Sequence, residues 1–257
     1  MQTVVYDGSF EGFLTAVFDV YEYRMKDVNI LPEKYRQDSL FIDSHMVQSS
    51  EVKASRVWKG LREKISSRSA SNLFFTFLSE YKGMENKLLQ YIKYMFETKY
   101  TAENDYSHPA VLFVTETAKK VHREKHRMEA FVRFQKTKDN LYFAIVQPDF
   151  NVLPVIKEHF EKRYADQQWM IYDGARKYGI FYDLHKTETV QVNFDDAISS
   201  GGSLAEILDE NELIYQQMWQ HYFNSVNIAA RKNMKLHIRH MPLRYWKYLT
   251  EKNHFFN

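Results

Sequence analysis

EKHRMEAFVRFQKTKDNLYFAIVQPDFNVLPVIKEHFEKRYADQQWMIYDGARKYGIFYDLHKTETVQVNF, residues 124–194, is the stretch whose reading decides the fold. It carries five strand-like runs: FVRF (131–134), LYFAIV (141–146), WMIYD (169–173), GIFYDL (179–184) and ETVQVNF (188–194). Short β-branched and aromatic runs bounded by turn residues are the mark of strands. KTKDN links the first two as a hairpin, and Pro148 stops the second. NVLPVIKEHFEKRY (151–164) reads as a helix with Pro154 in its first turn, its Val155, Ile156, His159 and Phe160 falling along one side. Links of this length favour antiparallel neighbours. The expectation is an antiparallel β-β-α-β-β-β sheet in the middle of the chain.

Outward from this centre the sequence turns helical on both sides, which makes the fold class α+β. TVVYDG predicts a short strand and an Asp-Gly turn, and Ser9 then offers an N-cap with Glu11 in the first turn. Phe10, Phe13, Leu14, Val17, Phe18 and Tyr21 share one helical face. Gly12 within it costs about 1 kcal/mol against Ala, which points to a close packing contact. Residues 25–50 read as irregular, with LFI (40–42) as a possible edge strand. Further helices are expected from Ser50, over 68–80, over 84–98 and from near Ser107. Beyond SSGGS (199–203) the chain is helical again, and Pro242 opens a last short helix. The organisation expected is 1–123, 124–198 and 199–257 packed as one compact unit.

Composition narrows the chemistry. The chain of 257 residues contains no cysteine, which excludes disulfides, thiolate zinc sites, a Cys nucleophile and a cysteine-held iron–sulfur cluster. No apolar run approaches a membrane span and MQTVVYDGSF does not read as a signal peptide, so no membrane partner and a cytoplasmic location are expected. The net charge of +2 hides an uneven distribution. Residues 119–138 hold eight Lys and Arg against two Glu, and residues 231–247 hold six basic residues and no acid. Basic segments on an otherwise acidic chain are the footprint of an anionic partner.

Three residues are candidates for catalysis: His126 in EKHR, His159, and Asp173 at a strand end. Solvated charge, half-buried packing and turn formation are the simpler accounts of the same three residues. His122 and His126 have the i, i+4 spacing of a metal pair, but no third ligand accompanies them. Phosphate-loop, dinucleotide-binding and nucleophile-elbow patterns are absent, so no cofactor is expected. For nucleic-acid contact the candidates are Arg127, Arg133, Arg163, Arg231, Lys235, Arg239, Arg244 and Lys247 on phosphates. Tyr245 and Trp246 are candidates for stacking on bases, or for core anchors with those cations as their rim.

Several segments together resemble one family: YDGSFEGFLTAVFDVYE, EKHRMEAFVRF, HFEKR, QWMIYD and RKYGIFYD, RKN, and MPLRYWKYLTE. It is the bacterial family described as a DNA metabolism protein, a domain of unknown function. The resemblance implies a role in DNA repair or modification beside a radical-SAM protein, since members typically occur next to one and many are fused to a uracil-DNA glycosylase domain. It implies no catalytic residue. The chain ends after the helical tail with no glycosylase region, so excision is expected to fall to another protein, as is the cluster chemistry that a cysteine-free chain cannot perform. Three readings follow: a nucleic-acid-binding component working with a radical-SAM partner, a stand-alone enzyme using His126, His159 and Asp173, or an adaptor for an acidic protein.

Overall fold

The computed structural model describes residues 2–36, 44–98, 102–191, 208–225 and 234–255. The chain forms two compact units, 1–122 and 123–257. The strand-rich centre and the C-terminal helices belong to the same unit. No helix among the described residues is long and apolar enough to cross a membrane.

The first unit is built on a three-stranded sheet: β1 (Gln2–Tyr6) lies between β2 (Val28–Pro32) and β3 (Ser44–Met46), all parallel. Helix α1 (Phe10–Glu22) makes the crossover from β1 to β2, and the Ser9 hydroxyl caps it by accepting from the Gly12 amide at 2.8 Å. This sheet corrects the single-sheet expectation. A three-residue β3 carries too little pattern to read, and Pro32 suggested a loop when it ends β2, an edge strand of this sheet, where proline is tolerated. Helices α2 (Glu51–Arg62), α3 (Ser67–Phe77), α4 (Met84–Glu97) and the long α5 (Pro109–Phe131) follow, close to the expected spans. The LFI run and the SSGGS linker lie outside the described residues.

The second unit carries a five-stranded sheet in the order β4 (Gln135–Lys136), β5 (Tyr142–Val146), β6 (Trp169–Asp173), β7 (Tyr178–Tyr182), β8 (Thr187–Val190). Three of its four pairings are antiparallel, but β5 and β6 run parallel. The purely antiparallel expectation is therefore corrected. Helix α6 (Leu153–Arg163) fills the connection from β5 to β6 and gives it the length a parallel crossover needs. A second correction concerns FVRF. Helix α5 runs through EKHRMEAF, and the first strand is the two-residue β4. Val114, Ala118, Val121, Glu124, Met128 and Val132 are all buried at helical spacing, so a continuous helical face overrides the local strand propensity of 131–134.

Both faces of the sheet are covered, which is why all five residues of β6 are buried. On one face Trp169 meets Phe160 of α6, with ring centroids 5.9 Å apart. On the other, Phe143, Ile145, Met170 and Tyr172 form a cluster against which Tyr248 packs. Tyr248 belongs to a 3-10 segment, Leu243–Tyr248, which follows helices α7 (Glu212–Ser225) and α8 (Met234–His240) and leads into a second 3-10 segment, Thr250–Phe255.

Candidate functional site

The two basic segments meet in the second unit, and they meet around acids. Glu124, on the buried face of α5, is 1% exposed in its side chain. One carboxylate oxygen accepts from the Asp149 amide at 2.8 Å. The other accepts from the Tyr245 hydroxyl at 2.5 Å and from Arg244 Nη2 at 2.9 Å, with Arg127 Nη1 at 3.6 Å. Arg244 also pairs with the Asp149 carboxylate at 2.7 Å. Burial first, then the bond to Glu124, pushes the Tyr245 phenol well above its ordinary range, so it stays a donor. Two of the expected phosphate contacts, Arg127 and Arg244, are thus partners of one buried carboxylate. Tyr245 and Trp246 are 2% and 4% exposed, and the Trp246 indole donates to the Met241 carbonyl at 3.0 Å. They are core anchors, and the stacking role is not open to them.

The three catalytic candidates are not joined by any direct contact. His126 is 87% exposed in its side chain, 3.9 Å from Glu129 Oε2. His159 packs its ring against Phe160. Asp173 is wholly buried. Its carboxylate accepts from the amides of Ala175 and Arg176 at 2.9 and 3.1 Å and from Arg176 Nη1 at 2.9 Å. Burial pushes its carboxyl above the usual range despite the Arg176 charge. It is a turn-forming acid with a private counter-ion. His122 stacks on Phe75 with ring centroids 3.7 Å apart, and no group of three His, Cys, Asp or Glu among the described residues is placed to hold a metal.

A groove of about 590 Å³ lies elsewhere on the same unit, lined by Arg133, Lys136 and Arg163 together with Phe134, Tyr142, Tyr164, Tyr215 and Trp219. Glu212, Gln167, Gln216 and Thr250 complete its polar lining. Each wall has a local cause. The Glu212 carboxylate, in the first turn of α7, accepts from the Lys136 amide at 3.0 Å and ties that helix to β4. Tyr215 and Trp219 stand four residues apart on α7, 62% and 41% exposed. Buried Glu251, from the last 3-10 segment, accepts from Arg133 Nη2 at 2.9 Å and from the Trp219 indole at 3.2 Å. Burial pushes the Glu251 carboxyl up, but Arg133 and Trp219 more than offset this and hold it below the usual range.

The cations of the groove are unequally committed. Arg133 is paired with Glu251, and Lys136 Nζ lies 3.6 Å from Asp209. Arg163, exposed in the last turn of α6, touches only its neighbour Tyr164, through Nε–H to the hydroxyl at 3.4 Å and over the ring at 5.7 Å. Among the described residues it has no carboxylate partner. Lys247 donates to Gln147 at 2.8 Å. Lys235 and Arg239 are exposed on α8, away from the groove lining. Arg231 lies outside the described residues.

Of the expected contacts that are described, the structure brings Arg133 and Arg163 together in the groove and Arg127, Arg244 and Tyr245 together on Glu124. Sequence reasoning passed over Lys136, Tyr142, Tyr164, Tyr215, Trp219 and Glu251. The one legible signal was the i, i+4 aromatic pair in IYQQMWQ. Comparison with curated proteins finds no match. Residues 82–251, which include nearly all of the second unit and every residue of the groove, match the family DUF4130, a domain of unknown function. That match spans well over half of the sequence, and the chain belongs to the DUF4130 family.

Proposed function

We propose that the second unit binds nucleic acid through the groove, and that the chain serves as an accessory component of DNA repair or modification beside a radical-SAM partner. The observation that carries the first half is the groove itself, in which an uncommitted guanidinium, Arg163, stands among exposed aromatic rings. Cations beside open π-faces are the combination that recognises phosphates and bases together. The partner rests on the resemblance and on composition. A chain with no cysteine supplies no thiolate for a cluster, so any cluster chemistry falls to another protein. The stand-alone enzyme reading has no geometric support, because His126 stands exposed, His159 packs on Phe160 and Asp173 is buried against Arg176, with no contact between the three.

The test is fluorescence anisotropy with labelled DNA and RNA, single- and double-stranded, against the wild type and Arg163→Ala. Binding weakened about 5- to 10-fold in the variant, a typical consequence of losing a charge-assisted contact, supports the reading. No affinity for any nucleic acid refutes it. A second reading, the adaptor, is favoured by Ile214 and Met218, which are exposed four residues apart on α7. Co-purification with the radical-SAM protein after nuclease treatment, lost in Met218→Asp, would select it.

A further inference from the structure

Resting on that reading, we infer that the groove takes an unpaired strand, held by stacking of bases on Trp219 and Tyr215 with Arg163 on a single phosphate, and that it does not take a duplex.

The charges that line the groove argue against a duplex track across it. Duplex binding needs several uncommitted cations along the phosphate backbone. Arg127 and Arg244 lie against Glu124, Arg244 also against Asp149, Arg133 against Glu251 and Lys136 near Asp209. Among the described residues, that leaves Arg163 as the groove cation with no acid beside it. One or two phosphates is the corresponding load.

The aromatic side points the same way. Tyr215 and Trp219 are 62% and 41% exposed, with Tyr142 and Tyr164 on the same lining. A duplex buries the faces of its bases in its own stack, so ring faces have nothing to meet there. An unpaired base offers both its π-face and its hydrogen-bonding edge. The amides of Gln167 and Gln216 are the groove groups of a kind that bonds such an edge. The volume, about 590 Å³, sits within the range of small-ligand clefts and suits a short splayed segment better than a helix.

The experiment compares a single strand of about twelve nucleotides with its blunt duplex by anisotropy across a salt series, while following intrinsic tryptophan emission. Of the four tryptophans, Trp169 and Trp246 are buried and Trp58 belongs to the first unit and not to the groove lining, so quenching that Trp219→Leu abolishes reports on Trp219. The expected result is at least 10-fold tighter binding of the single strand. Its log–log salt slope should lie between about −0.7 and −1.4, the value for one or two phosphates. Trp219→Leu should remove the quenching and cost about 10-fold in affinity, within the usual range for one lost stack. Because the Trp219 indole also bonds Glu251, Tyr215→Ala serves as the second variant; its exposed side chain makes its removal safe for folding, and a loss of about 5-fold or more is expected. Duplex bound equally well or better, a slope steeper than about −3, or unaltered affinity in both variants would overturn the inference and leave nucleic-acid binding standing. Absence of binding to either form would overturn both.

Discussion

Glu124 is the residue on which the second unit depends most. A buried carboxylate with four donors around it is stable only while they are present, and the converse also holds. Removing it leaves a phenol and a backbone amide without their acceptor and takes one counter-charge from two part-exposed guanidiniums, of which Arg244 keeps Asp149. Leaving buried donors without an acceptor costs about 1–3 kcal/mol, and the part-exposed guanidiniums add little because water screens them. Glu124→Ala should therefore lower the unfolding free energy, read by urea titration, by about 1–3 kcal/mol. Lys235→Ala, on an exposed charge, should stay within about 0.5 kcal/mol of the wild type. Equal effects of the two would show the Glu124 junction to be dispensable. The sequence offered a way to this residue that was not taken. EKHR drew attention to His126, whose chemistry is familiar, yet the helical period passes from Val121 to Glu124 to Met128. An acid on a buried stripe needs donors, and Arg244 and Tyr245 are those donors. Their identity was not legible, because they lie about 120 residues away and no local pattern links them.

Among the elements, α1 follows most directly from its sequence and contains the clearest test. Its cap, its acidic first turn and its buried face all follow local rules. Gly12 is there for a reason beyond the helix. A Cβ at that position would stand 2.2 Å from Asp7 Oδ1 and 2.7 Å from Ser49 Oγ. Asp7 cannot swing aside freely, since its carboxylate accepts from the Ser9 amide and hydroxyl and from the Ser49 hydroxyl. Gly12→Ala should then destabilise the protein by about 1 kcal/mol or more, although Ala is by about that amount the better helix former. In an Asp7→Ala background the same change should become neutral or stabilising. A double-mutant cycle by chemical denaturation reads this directly, and strict additivity would refute the contact. The elements that escaped sequence reading did so for identifiable reasons. β3 is three residues long, β4 is two, and the parallel pairing of β5 with β6 depends on where α6 carries the chain. Strand identity in WMIYD and YGIFY was fixed by local composition, whereas pairing direction is a tertiary property.

Across the molecule, stability against pH is set by carboxylates that burial and hydrogen bonds push in opposite directions. Burial raises Asp7, Glu103 and Glu251, but the donors around each outweigh it and all three are held below the usual range. Each contributes stability that is present above its unfolded value, about 4, and is lost as pH falls through the lower folded value. Glu85 and Asp173 run the other way, because burial is the largest influence on both and raises them. Their contribution is full at low pH and is lost as pH rises from about 4 through the raised folded value. Glu85 isolates this second behaviour. It accepts from the Tyr6 hydroxyl at 3.1 Å, linking α4 to β1, and a glutamine retains an acceptor there without a charge to desolvate. Unfolding free energies of the wild type and Glu85→Gln, measured by urea titration from pH 4 to pH 8, should diverge as pH rises. The variant gains on the wild type through the window where Glu85 ionises and keeps a constant lead above it. The acid arm below about pH 4, which belongs to the lowered carboxylates, should be shared by both proteins. A difference that does not change with pH would mean that Glu85 is no more costly to ionise in the fold than in the unfolded chain, and the Tyr6–Glu85 contact would then be a wet one.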